Sequence, residues 1–143
     1  MIVLDTGFFK GLMDNRDRHH KEALKIEKYL RKHDERTLIN TTILIETINW
    51  TAGTDISIKQ LYNNLITDNK FVELSKKDYL ESLKVNGWYG NNINYSDCTI
   101  INTMLNEHLN RIISFDGDFK KIKGFKVIDN IHTLKETLNV FKI

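Results

Sequence analysis

Four carboxylates stand where an acid can do more than keep a chain soluble: Asp5, Glu46, Asp97 and Asp116. Asp5 follows the apolar run Ile2-Val3-Leu4 and precedes Thr6-Gly7. Such a run suits a strand buried on both faces. An acid directly after it falls at the strand's carboxyl end, where open α/β sheets place their ligands. Asp116 ends a second run of this kind, in Ile112-Ile113-Ser114-Phe115-Asp116-Gly117-Asp118-Phe119. Asp97, in Asn94-Tyr95-Ser96-Asp97, lies at the start of a helix. Glu46 interrupts Ile43-Leu44-Ile45-Glu46-Thr47-Ile48, with Trp50 one helical turn beyond. A helix so apolar on neighbouring faces could bury Glu46, and a buried carboxylate is costly unless paired, protonated or bound to a metal.

Each acid also has an ordinary reading. Asp5 and Asp97 suit helix caps and first turns, Asp116-Gly117 an ordinary turn, and Glu46 the wet side of a half-exposed helix. Their joint placement argues otherwise. Asp5 and Asp116 end strands of one parallel sheet and so can share an edge. The helix opened by Asp97 starts on that edge, and Glu46 can project into the same crevice. Carboxylates a few ångströms apart cannot all ionise without a counter-charge. Hard divalent cations supply it, and Mg²⁺ or Mn²⁺ fits an all-carboxylate site. Two such ions would balance the four acids.

The elements that must position these side chains are read from periodicity. Strands are expected at residues 2–4, 37–39, 71–74, 112–115 and 125–128, and helices lie between them. Phe8, Phe9 and Leu12 mark the apolar side of a short first helix ending near Asp14-Asn15. Asp17 is expected to cap the second, which carries Ala23, Ile26 and Leu30. Thr41-Thr42 open the Glu46 helix, stopped by Gly53; Ser57 caps the next. Ser75 with Asp78 forms a capping box for a helix carrying Leu80 and Leu83. Ile100, Ile101, Met104 and Leu105 mark the Asp97 helix, and Ile131, Leu134 and Leu138 the last one. Alternating strands and helices give an α/β fold: a single domain over 1–143, with a mainly parallel central sheet of four or five strands flanked by helices.

Composition sets bounds. The 143 residues are enough for one domain with a sizeable core. A net charge of +2 announces no nucleic-acid binder, so any such partner needs a local patch. Cys98 is the sole cysteine, which excludes an intrachain disulfide and a cysteine-based zinc site. The apolar start is too short for a signal peptide or a membrane span, so the expected location is cytoplasmic, with no membrane partner.

These residues together resemble a PIN-domain ribonuclease, in particular the toxin of a VapBC-type toxin–antitoxin pair. The motifs are Val3-Leu4-Asp5-Thr6, the helical Ile45-Glu46, Ser96-Asp97 opening a helix, and Ser114-Phe115-Asp116-Gly117-Asp118-Phe119. The resemblance spans the chain. It implies that Asp5, Glu46, Asp97 and Asp116 are the catalytic acids and bind Mg²⁺ or Mn²⁺, with Asp118 assisting as a metal ligand. It implies that Thr6 and Ser114 support the acids. It also implies an RNA substrate, a homodimer and an antitoxin seated in the active-site groove. Gly7 stands where the family often has Ser, and Cys98 where it often has Ala. A non-catalytic PIN-like module that binds RNA or protein is the alternative.

Two basic groups could hold phosphates: Lys120, Lys121, Lys123 and Lys126, and Arg16, Arg18 and Lys21. Both also suit solvated faces. Trp88 and Tyr89 could stack on bases, although core packing is the favoured expectation. His19 and His20 adjoin and so point apart on a helix, which disfavours a joint metal site.

Overall fold

The computed structural model describes residues 1–139; the end of the expected 1–143 domain span lies outside the described residues. Its five strands form one fully parallel sheet in the order β3-β2-β1-β4-β5. The strands are β1 (Ile2–Leu4), β2 (Thr37–Asn40), β3 (Lys70–Val72), β4 (Arg111–Ile113) and β5 (Lys126–Ile128). The chain adds β2 and β3 on one side of β1, then returns to place β4 on the other. The strand order therefore reverses between β1 and β4, and the crevice at such a reversal is where open α/β sheets bind ligands.

The three central strands are short and almost wholly apolar because helices cover both faces. Ile2, Val3, Leu38, Ile39, Ile112 and Ile113 are all buried. The helices are α1 (Thr6–Met13), α2 (His20–Lys32), α3 (Thr41–Trp50), α4 (Ile58–Asp68), α5 (Lys76–Trp88), α6 (Tyr95–Asn106) and α7 (Ile131–Asn139). Helix α1 packs on α2 and α3, α5 on α6, and α2 on α7. Most helix starts follow local sequence. Ser57 Oγ accepts the Gln60 N–H, and Ser75 with Asp78 closes the expected capping box.

Three local expectations are corrected. Asp17 does not cap α2: its carboxylate accepts the His19 N–H inside a turn, and α2 starts at His20 without a side-chain cap. Leu80 and Leu83 do not turn to the core, since α5 buries its Ser82–Val85 side and leaves both leucines 56% exposed. Trp88, expected in the core, is 69% exposed, whereas Tyr89 packs partly against the core. Cys98 is buried as a small core residue.

One buried side chain matters most for placing the site. Asn40, fully buried, ends β2 and caps α3 by accepting the Ile43 N–H at 3.1 Å. Its amide donates to Thr103 Oγ1 at 3.0 Å and reaches the Thr99 carbonyl at 3.4 Å, both on α6. Beside it, the Thr42 and Thr99 hydroxyls bond each other at 2.6 Å. The start of α3 is thus pinned to the middle of α6. Asn40→Ala removes the cap and orphans α6 groups, so it is expected to lower stability by about 2 kcal/mol. Urea unfolding checks this, and a loss below about 0.5 kcal/mol would count against the brace.

Candidate metal centre

The carboxyl edge of the sheet gathers acids from four distant segments. Asp5 leaves β1 and caps α1 at once, its Oδ1 accepting the Thr6 N–H at 2.8 Å. Its Oδ2 accepts the Ser114 hydroxyl proton at 2.8 Å. Ser114 Oγ in turn accepts the Asp116 N–H at 3.1 Å. One serine, directly after β4, therefore ties the acid of the first strand to the backbone of the second acidic segment. Asp116 caps the 3-10 turn Gly117–Lys121 by accepting the Asp118 N–H at 2.9 Å. Asp97 lies in the first turn of α6, where Asn94 is the cap and accepts the Asp97 N–H at 2.8 Å.

Asp97 is the centre of the group. It is only 8% exposed, and its Oδ2 is buried with no hydrogen-bond partner among the described residues. Burial first, and then the charges of Asp5, Asp116, Glu46 and Asp118, push its pKa up to about 7 from an ordinary 3.8. Asp5, equally buried, is also raised, chiefly by burial, against the lowering effect of the Ser114 and Thr6 hydrogen bonds. Oxygens of Asp97, Asp116 and Asp118 lie within 4.8 Å of one another. Asp5 and Glu46 stand outside that tight trio yet within its electrostatic reach.

The sequence leaves Glu46 either buried or on the wet side of a half-exposed helix, and the structure exposes it on α3. That helix buries Ile43, Leu44 and Thr47 and turns Ile45 and Glu46 outward. Glu46 nonetheless meets the others: its pKa is raised by partial burial and then by Asp5. The site thus has a buried floor, Asp5 and Asp97, and an accessible rim, Glu46 and Asp116.

The expected hydroxyls divide their roles. Ser114 bonds both acidic segments, whereas Thr6 serves Asp5 through its backbone and keeps a buried hydroxyl with no partner among the described residues. Lys10, not singled out from the sequence, acts on both Asp5 and Glu46 and lowers their pKa values. Its signal was present, since it lies one helical turn past Thr6 on the helix that Asp5 caps. Of the expected lysine patch, Lys121 pairs with Asp118 at 3.1 Å and Lys120 with Asp129 at 3.0 Å. His19 and His20 share no ligand position: His19 stacks on Phe115 and His20 bonds the Gly11 carbonyl.

Five carboxylates against Lys10 and Lys121 leave a strong excess of negative charge. The all-oxygen donor set, the tight trio and the partnerless Asp97 Oδ2 fit a hard divalent cation. The residues that would hold it are Asp97, Asp116 and Asp118, with Asp5 and Glu46 beside them.

An α/β sheet with acids gathered at its switch point defines a class, and comparison with known proteins names it. The PIN domain family model matches residues 2–125, and the chain belongs to that family. Its fold is shared with solved VapC toxins and VapBC complexes. VapC20 of Mycobacterium tuberculosis, described as a sarcin–ricin loop cleaving toxin, superposes with a TM-score of 0.68 at 17% identity, over 85% of this chain and 94% of that one. A toxin–antitoxin complex from Klebsiella pneumoniae gives a TM-score of 0.68 at 21% identity, over 90% and 96%. VapBC2 from Rickettsia felis, bound to a DNA fragment from its promoter, gives 0.64 at 16% identity, over 89% and 97%. By sequence, no curated protein matches.

The charge crowding has a sign that can be measured. An acid with a folded pKa of about 7 and an unfolded value near 3.8 costs the folded state nothing while protonated. The cost appears as pH rises through that window and persists above it. Metal-free protein is therefore expected to lose stability between about pH 4 and pH 7. Asp97→Asn should flatten that loss and raise the midpoint at pH 8 by several degrees, about 3–5 °C for each kcal/mol recovered. Thermal unfolding in EDTA checks this, and a variant melting below wild type at pH 8 contradicts it.

Proposed function

We propose that the protein is a metal-dependent endoribonuclease and the toxin of a toxin–antitoxin pair. The observation that carries this reading is the Asp97, Asp116 and Asp118 trio, with Asp5 and Glu46 in electrostatic reach of Asp97, in a chain of the PIN domain family. The named relatives support the toxin reading: one is described as a sarcin–ricin loop cleaving toxin and another as a toxin–antitoxin complex.

In this reading Asp5, Glu46, Asp97 and Asp116 are the catalytic acids, and with Asp118 they hold Mg²⁺ or Mn²⁺. When bound, such ions make water more acidic and neutralise charge on the scissile phosphate. The chain's own residues prepare that chemistry. Ser114 and the Thr6 N–H fix both oxygens of Asp5, so the carboxylate does not rotate away. The Ser114–Asp116 and Asp116–Asp118 bonds hold the second acidic segment in register with the first. Glu46, on the rim, is placed to accept a proton from the attacking water as its oxygen bonds to phosphorus; the bridging P–O bond breaks and its oxygen leaves as a hydroxyl, taking a proton from solvent. Lys10 lies close enough to Asp5 and Glu46 to draw an RNA phosphate toward them.

The antitoxin partner is proposed to sit in the active-site groove beside the acids. The cavity of about 710 Å³ along α1, lined by Phe8, Phe9, Leu12, Leu30, Leu61 and Leu65, is separate from them. The protein is proposed to act in the cytoplasm as a homodimer. None of the described helices is long and apolar enough to cross a membrane.

Asp5→Asn keeps the Ser114 and Thr6 bonds possible and removes the charge. It is expected to fold as wild type and to lose RNA cleavage by at least about 100-fold. EDTA should do the same to wild type. Cleavage by this variant at the wild-type rate, with Mg²⁺ or Mn²⁺ present, would overturn the proposal. Ser114→Ala should cost less, about tenfold in kcat, because the acids remain and only their alignment suffers.

A further inference from the structure

Helices α1 and α3 both start at the carboxyl edge of the sheet, after β1 and β2, and pack against each other. Past the acids, their far ends enclose a cavity of about 430 Å³ lined by Met13, Asp14, Arg16, His20, Trp50 and Ile56. Trp50 lies four residues beyond Glu46, and Asp14 four beyond Lys10. The cavity is therefore about one helical turn, or about 6 Å, from the Lys10–Glu46 level of the acidic cleft. Small-molecule sites span about 300–1,000 Å³, so a single nucleobase fits.

The lining is chemically mixed. Trp50 is half-buried and supplies an aromatic wall. His20 Nδ1 lies 2.7 Å from the Gly11 carbonyl, which can only accept, so Nδ1 carries a proton, and in the neutral ring Nε2 is then an acceptor. Asp14 is held ionised, its pKa lowered by the Arg16 N–H and guanidinium, and its Oδ1 takes both of those bonds. Arg16 itself is 88% exposed, anchored at Nε with its outer nitrogens turned to solvent. The cavity thus offers a stacking surface, two acceptors for an amino group and a guanidinium at its mouth.

We propose that this cavity is a nucleotide subsite of the RNA cleft. It takes one unpaired base next to the scissile phosphate, stacked on Trp50, with Arg16 on the adjoining phosphate. The acceptors on Asp14 and His20 favour a base with an exocyclic amine, adenine, cytosine or guanine, over uracil, which has none. Lys10 bridges the interval between subsite and acids. The inference rests on the ribonuclease reading and assigns it a base preference.

The test uses Trp50 as its own reporter. Trp88→Phe leaves Trp50 the sole tryptophan of the two in the chain, and Asp5→Asn in the same protein spares the ligand from cutting. This protein, with Mg²⁺, is titrated with single-stranded hexamers of rA, rC and rU. Saturable quenching is expected, with rA or rC binding about tenfold more tightly than rU, and Arg16→Ala weakening both by about tenfold. Arg16 is exposed, so its loss leaves the fold intact. Three results would overturn the subsite: no change in emission with any hexamer, equal affinity for all three with Arg16→Ala indifferent, or a response only to a protein partner. A gel of the hexamers after titration separates the two levels. Cut RNA refutes the role of Asp5, while the emission still reports on the cavity.

Discussion

Like charge held at short range is the constraint on which this molecule turns. Asp97 is buried among four other carboxylates, and nothing among the described residues neutralises them fully. Left to itself such a group would spread apart or take up protons. It stays together because each member is fixed through its backbone or by a bond that tolerates its charge. Asp5 caps α1, Asp116 caps the following 3-10 turn, and Asp97 sits in the first turn of α6. All these positions favour an acid through free N–H groups and the helix dipole. The local geometry that makes each acid unremarkable is what allows several to be assembled.

The assembly also needs rigid spacing between elements. Ser114 connects β1 to the segment after β4, and Asn40 with the Thr42–Thr99 pair connects α3 to α6. These bonds are made within the protein itself, so the arrangement is set before any ligand arrives. A site prepared in this way loses little further freedom on binding a cation or a phosphate. A cluster with this charge repels anions, so cation binding and anion binding at it would reinforce one another.

Much of this was legible in the chain. Apolar runs ending in Asp5 and near Asp116 marked the central strands, and the alternation of strands and helices gave the parallel sheet. Four of the five acids were recognisable from their places at strand and helix ends, and Glu46 from its interruption of an apolar helix. Other features were not legible. Asp17 looked like a cap because caps are recognised by residue type, but His20 rather than Arg18 opens α2. Glu46 could be read as buried or exposed because its neighbours are apolar, yet Ile45 beside it is itself 51% exposed. Trp88 was assigned to the core on type, although α5 turns it to solvent.

The sequence by itself determined which residues could form strands, where helices could start, and that its acids fell at the ends of those elements. These are local properties, set by neighbours within a few positions. Only the tertiary structure decided which acids form the floor and which the rim, that Ser114 joins two of them across 109 positions, and that Lys10 belongs with them. Those outcomes depend on strand order and on the rotation of each helix about its axis. Both are fixed by packing across the whole core, and no short stretch of chain carries that information.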